Sequence, residues 1–255
     1  MRDSLKRYRR KLGILGGMGP EATAALYLGI VSRCQRNLGA KYNSDFPPII
    51  IDSAPVPDGR MWTGFSRRRV ERFLRDNIRI LERAGAEFVV VPCNSAHHFM
   101  PIMRGAVQIP VLSIVEETAK AIRQRHLSRV LLLATTFTAN KRVYDEYFSA
   151  TGLELVKPNA GEQAMVEDII VRVEGGKRLK YDKKTILGII QKHRRFNNAQ
   201  AVVAGCTEIP LLLHHGDLAV PLFDTIDILA SAAYELITGS RDLKTLFVQP
   251  RSKNV

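Results

Sequence analysis

Cysteine and tryptophan are scarce in this chain, three and one among 255 residues. An odd cysteine count without a regular spacing excludes a disulfide framework. A few unpaired thiols fit a reducing compartment, so a cytoplasmic protein is expected. No apolar run approaches the roughly 18 residues of a bilayer span, so no membrane partner is expected. Met1–Lys11 is basic and lacks an apolar core segment, which speaks against a secretory signal. Acidic residues are outnumbered, 25 against 38 Lys and Arg, leaving a formal net charge of +13. No zinc-finger spacing, recognition-helix pattern or aromatic-interleaved basic stretch accompanies that charge, so nucleic acid is disfavoured as a partner. A solvated tail and a basic surface around a small anionic ligand account for it.

Two segments 113 positions apart resemble each other, Val89-Val90-Val91-Pro92-Cys93-Asn94-Ser95 and Val202-Val203-Ala204-Gly205-Cys206-Thr207-Glu208. Each is an apolar, β-branched run, then Pro or Gly, a cysteine and two polar residues. That pattern predicts a buried strand ending in a cysteine where a helix begins. A thiol at a helix N-terminus is expected to ionise more readily than a free one. Cys34 falls on the apolar face of a predicted helix and is expected in the core.

Strand and helix signals alternate along the whole chain. Strands are predicted at Leu12–Gly16, Pro48–Asp52, Phe88–Val91 and Val111–Ile114, with helices at Pro20–Leu38 and Ser66–Ala84. The pattern restarts with strands at Arg129–Ala134, Leu153–Val156, Ala201–Ala204 and Val220–Phe223. Helices are predicted at Ala139–Ala150, about Glu162–Glu174, Asp182–Arg195 and Ile226–Thr238. Strands separated by helices imply parallel sheets covered on both faces. The fold class is therefore α/β, with two similar halves. Residues 1–112 plus 224–255 would form the first and 113–223 the second.

Turns follow the first strand of each half. Gly16-Gly17-Met18-Gly19-Pro20 can present backbone N–H groups at a helix start to a carboxylate or phosphate. Gly17-x-Gly19-x-x-Ala22 also fits a dinucleotide fingerprint, but the acidic residue about 20 positions on is missing. Thr135-Thr136-Phe137-Thr138 holds the equivalent place, where hydroxyls cap a helix or bind an anion. Thr207 and Glu208 can bond helix-start amides or a substrate ammonium. Cys93-x3-His97 has a metal-like spacing but lacks the further ligand pair of a zinc site. His97 is expected near the Cys93 strand as a supporting polar group.

These residues resemble the cofactor-independent aspartate/glutamate racemase family, especially its aspartate racemase branch. The resemblance rests on Gly13–Pro20, Pro92–His97, Leu133-Ala134-Thr135-Thr136 and Gly205–Ile209, and runs from about Leu12 to Ile237. It implies two Rossmann-like halves meeting at an active-site cleft, a homodimer, and an amino acid as small-molecule substrate. No pyridoxal phosphate, other cofactor or metal is implied. Cys93 and Cys206 would be the acid/base pair on either side of the substrate Cα. Met18, Gly19, Asn94, Ser95, Thr207 and Glu208 would line the site, and Thr136 and Thr138 would hold a carboxylate.

Three departures bear on specificity. Arg60 stands one residue later than the arginine that follows Pro-Asp in aspartate racemases, because Gly59 intervenes after Pro57-Asp58. Glu174 takes the place of a lysine, and Phe137 that of a glycine. Arg60, with Lys177 nearby, is the candidate anchor for a side-chain carboxylate. A superfamily racemase or isomerase acting on a neutral or basic amino acid, a hydantoin or maleate is the alternative. A ligand-binding protein with an idle site is the alternative of another class.

Overall fold

Apolar runs without polar interruption suit strands covered on both faces, and here they form the middle of two parallel sheets. The computed structural model describes residue 8 and residues 10–56, 65–213 and 215–246. Arg60 and most of the basic N-terminal residues lie outside them. In chain order the elements are β1 (Leu12–Gly16), α1 (Pro20–Leu38), β2 (Ile49–Ser53), α2 (Phe65–Arg83), β3 (Phe88–Val90), α3 (Met100–Arg104), β4 (Val111–Leu112) and α4 (Ile114–Gln124). They continue with β5 (Arg129–Leu133), α5 (Thr136–Asn140), α6 (Asp145–Ala150), β6 (Glu154–Val156), α7 (Ala160–Glu174), α8 (Lys180–Phe196), β7 (Ala201–Ala204), β8 (Leu222–Asp224) and α9 (Thr225–Thr238).

The chain divides into two compact units. One comprises Met1–Val91, Phe99–Ser113 and Ala230–Val255, the other Pro92–His98 and Ile114–Leu229. The first holds a sheet of order β2-β1-β3-β4 and the second a sheet of order β6-β5-β7-β8. All pairings are parallel, from Leu12 opposite Phe88 in one sheet to Val130 opposite Ala201 in the other. Duplication is thus visible in strand order. The central strands β1, β3 and β7 are buried throughout, whereas the edge strands β2 and β6 are partly exposed.

Helix boundaries follow local chemistry. Pro20 opens α1, where the missing N–H costs nothing, and Gly39 closes it at φ 64°. Its buried Ala22, Leu26, Ile30 and Cys34 recur at helical spacing and cover the first sheet. In the second unit Asn159 and Glu162 form a reciprocal capping box at the start of α7. Glu162 then bonds Lys192 at 2.6 Å and His193 at 2.9 Å on α8. Burial alone would raise the Glu162 pKa, but Lys192, the Asn159 amide and His193 outweigh it and hold the carboxyl at about 2. Around this pair Val166, Ile169, Ile170, Ile186, Ile189 and Ile190 pack against Leu131, Leu133 and Val202. Each fully buried aliphatic side chain contributes about 1.5–3 kcal/mol.

Three local expectations change. The helix expected over Ala139–Ala150 is broken into α5 and α6, with Arg142 between them at φ 55°. The strand expected to reach Ile114 stops at Leu112, and Ile114 instead starts α4, an amphipathic helix that the strand-like run Val111–Val115 disguises. The stretch after each cysteine is a short 3-10 turn, Ser95–Phe99 and Ile209–Leu211, rather than a long α-helix.

Candidate active site

Both cysteines belong to the second unit, although the strand before Cys93 belongs to the first. Cys93 follows β3 after Val91 and Pro92, and Cys206 follows β7 after Gly205. Each thiol is 9% exposed, so it is sequestered but not sealed. They lie near enough for ionised Cys93 to oppose ionisation of Cys206. Cys34, by contrast, is fully buried in the first unit.

The two thiols have different neighbours. Backbone N–H groups of Ala96 and Ser95 face the Cys93 sulfur and favour its thiolate. The Cys206 thiol donates to Glu208 Oε2 at 2.7 Å, and the Thr207 hydroxyl donates to the same oxygen at 2.9 Å. Burial pushes the Cys93 thiol up to about 12, with Glu208 and Glu174 adding to the rise and the amides opposing it. Burial also drives Cys206 well above its ordinary value, with the Glu208 charge next in importance. The expected lowering at a helix start is therefore reversed. A 3-10 turn brings two amides but little macrodipole, and desolvation outweighs them.

Ser95 joins a group of three hydroxyls. Its Oγ lies 3.1 Å from Thr135 Oγ1 and 2.8 Å from Thr138 Oγ1, while Thr135 and Thr138 are 3.0 Å apart. Thr135 also caps α5 by accepting from the Thr138 amide. Of the three threonines, Thr135 is thus the cap. The Thr136 amide donates to Glu167 Oε2 at 2.6 Å, so an internal carboxylate already sits on that turn. Thr138 is fully buried within this group, whereas Ser95 and Thr136 are partly exposed, so the latter two carry the hydroxyls open to a ligand anion.

Asn94 is buried, and both ends of its amide are engaged. Tyr144 OH donates to Oδ1 at 2.5 Å, and Nδ2 donates to Thr225 Oγ1 at 3.2 Å. Burial raises the Tyr144 pKa, and Cys206 adds to it, while a hydrogen bond with Thr118 opposes. His97 accepts from the Ile114 amide at Nε2, 3.0 Å away. Its Nδ1 must then carry the proton and donate to the Cys93 carbonyl at 2.8 Å. His97 holds the backbone of Cys93 and the start of α4, the supporting role expected of it. Tyr144, Thr225 and Glu167 were not singled out by sequence. Tyr144 lies in a stretch of ordinary helix character, and only the fold reveals that its hydroxyl is buried.

In the first unit the Gly16–Gly19 turn is shaped by close packing. A Cβ on Gly16 would lie 2.5 Å from the Thr23 side chain, and one on Gly17 2.1 Å from the Ala54 carbonyl oxygen. Gly17 also has φ 85°, a conformation that favours glycine. Its N–H donates to Thr23 Oγ1 at 3.0 Å, so one amide expected for an anion is used internally. Met18 and Gly19 are partly exposed, Gly19 being the N-cap of α1. Asp52, near the end of β2, has a buried Oδ2 without a partner among the described residues, and burial raises its pKa.

Two α/β units with parallel sheets of matching strand order, and a pair of cysteines at strand ends, define the class of two-domain α/β racemases. The Asp/Glu/hydantoin racemase family matches residues 15–233. The chain belongs to that family of isomerases and is an amino-acid racemase. A solved aspartate racemase homologue from Pyrococcus horikoshii is 31% identical, covering 90% of this chain and 100% of that one, with a TM-score of 0.77. The aspartate racemase of Picrophilus torridus is 26% identical, covering 91% and 95%, with a TM-score of 0.76. The broad specificity amino-acid racemase RacX of Bacillus subtilis is 27% identical over 224 residues, 87% of this chain and 95% of that one.

Proposed function

We propose that this racemase inverts an amino acid by moving the Cα proton between Cys93 and Cys206, without pyridoxal phosphate. The observation that carries the reading is the pair itself: two nearly buried thiols at equivalent strand ends, within electrostatic reach of each other. One sulfur, as thiolate, takes the Cα proton and becomes a thiol. The electron pair left on Cα spreads onto the α-carboxylate. The other thiol gives its proton to the opposite face and becomes the thiolate. The amides of Ser95 and Ala96 suit Cys93 to be the resting base, and the Glu208 bond suits Cys206 to be the resting acid. With both thiols raised, the substrate ammonium is the charge that brings the base into play. The partly exposed hydroxyls of Ser95 and Thr136 are the groups proposed to hold the carboxylate and the charge that develops on it, with the buried Thr138 hydroxyl supporting Ser95 rather than touching the ligand. The protein is proposed to act in the cytoplasm, where its few thiols stay reduced, and as a homodimer, as the resemblance implies.

Purified protein incubated with amino acids in deuterium oxide, with no cofactor added, should exchange Cα hydrogen for deuterium and yield both enantiomers. A racemisation that required added pyridoxal phosphate or a metal, or no exchange with any amino acid, would overturn the proposal.

An acidic amino acid is the substrate that the resemblance implies. A second reading, a neutral or basic side chain, is favoured by two carboxylates. Glu167 occupies the Thr136 amide, and Glu174, seven residues further along α7, adds charge felt at Cys93. Rates with L-aspartate, L-glutamate, L-alanine, L-lysine and L-arginine separate the two. Faster turnover of the basic pair than of the acidic pair would remove the aspartate/glutamate assignment and leave the two-cysteine mechanism standing.

A further inference from the structure

A two-base racemase has a geometric requirement that a one-base enzyme lacks. Its two sulfurs must stand on opposite faces of one carbon at a fixed separation, and an error of about 1 Å in such an arrangement can cost ~10²-fold in rate. The two cysteines here are set by separate pieces of chain, Pro92–His98 and the end of β7. Something must tie those pieces together.

A continuous line of hydrogen bonds does so. Tyr144 OH donates to Asn94 Oδ1 at 2.5 Å, one residue from Cys93. Asn94 Nδ2 donates to Thr225 Oγ1 at 3.2 Å. Thr225 Oγ1 donates to the Ala204 carbonyl at 2.9 Å, two residues before Cys206. Tyr144 and Thr225 are 0% exposed and Asn94 is 3% exposed. With water excluded, each of these bonds is held by the cost of leaving a polar group unmet. The ends are anchored as well: Tyr144 packs edge-to-face on Phe148 at 5.2 Å, and Thr225 opens α9 immediately after β8.

We infer that Tyr144, Asn94 and Thr225 form a buried strap that fixes the separation of Cys93 from Cys206, acting as positioning residues for both proton transfers. This rests on the two-cysteine reading and deepens it. It also adds a role for Asn94, which the resemblance assigns to substrate contact: one lone pair and one N–H of its side-chain amide are committed to the strap.

The test uses the full-length protein with both cysteines intact. Tyr144→Phe and Thr225→Val are near-isosteric and remove only the strap's hydroxyls. Each should lower kcat about tenfold in both directions, with KM within about threefold, because binding groups are untouched while the transfer distance is not. With the Cα-deuterated substrate, the isotope effect on kcat should rise as proton transfer becomes slower than other steps. The double variant should cost much less than the product of the two single losses, since either cut opens the same strap. Circular dichroism at the assay temperature gives the folded fraction. Unchanged kcat in both single variants, a kcat loss that merely tracks that fraction with an unchanged isotope effect, or a rise confined to KM would each overturn the strap. Activity persisting in Cys93→Ala or Cys206→Ala would instead refute the two-cysteine reading on which it rests.

Discussion

Cys93 and Cys206 end corresponding strands, yet one is met by amides and the other by a carboxylate. Cys93 faces the N–H groups of Ser95 and Ala96, which favour its anion. The Cys206 thiol donates a hydrogen bond to Glu208, whose charge favours the neutral thiol. Duplication supplied the same sulfur at the same place twice, and three residues after each cysteine made the difference. Under the proposed two-cysteine mechanism, a symmetric reaction would start from an asymmetric resting site: the two sulfurs would exchange roles in every turnover, while the ligand-free protein favours one assignment of base and acid.

The harshest way to break the comparison is to remove each sulfur. Cys93→Ala and Cys206→Ala should each lower racemisation by at least ~10²-fold, the lower end for losing an acid–base group. Cys34→Ala should keep its rate, measured as Cα deuterium wash-in. Equal retention of activity in either site variant would end the two-base account.

Glu208→Gln sharpens the comparison. Removing that charge lowers the thiol pKa of Cys206 more than that of Cys93, because Cys206 loses a direct bond to the carboxylate as well as its field, and Cys93 only the field. Alkylation by iodoacetamide, followed residue by residue, should speed up about tenfold at Cys206 and far less at Cys93. The fall of kcat/KM at high pH, set in the free enzyme by the thiol that must stay protonated, should move to lower pH. An equal change at both sulfurs would mean that Glu208 does not distinguish them.

A smaller effect is expected from Thr207→Val. The Thr207 hydroxyl shares Glu208 Oε2 with the thiol. Without it the carboxylate binds the Cys206 proton more firmly, and alkylation of Cys206 should slow about two- to threefold. Faster alkylation would show that the hydroxyl had been shielding the sulfur instead.

The smallest effect is on stability. A thiol whose pKa is raised in the folded state leaves stability intact below its ordinary value of 9.0, and stability is lost as pH climbs towards about 12. Urea midpoints should therefore fall over that window, and less steeply in Cys93→Ala. A parallel fall in the variant would place the loss on other groups.

The frame of the fold was legible in sequence because the central strands are unbroken apolar runs, as at Val89–Val91 and Val202–Ala204. Pro20 and Gly39 mark α1 plainly, by a missing donor and a positive φ. The start of α4 was not legible, since Val111–Val115 is as β-branched as a strand, and only sheet pairing decides where it stops. The break after α5 depends on tertiary packing around Arg142, which no local propensity announces. At the site, residue types were legible but their commitments were not. Asn94 and the Gly17 amide both look unengaged in sequence, and both bond neighbours, Asn94 to Tyr144 and Thr225 and Gly17 to Thr23. Glu167 is one acid among several on α7 until the fold brings it to Thr136.

Sheet connectivity has a bearing on the newly made chain. Phe88 pairs with Leu12 and Ala201 with Val130, so the strand before each cysteine finds its partner more than 70 positions upstream. Such non-local pairings close late and fold slowly. Until they close, Cys93 and Cys206 are ordinary solvent-facing thiols, with a fraction ionised at neutral pH and open to oxidation. The completed sheet is therefore also their antioxidant shield, and a pulse of peroxide during refolding should damage both sulfurs far more than the same pulse applied to the folded protein.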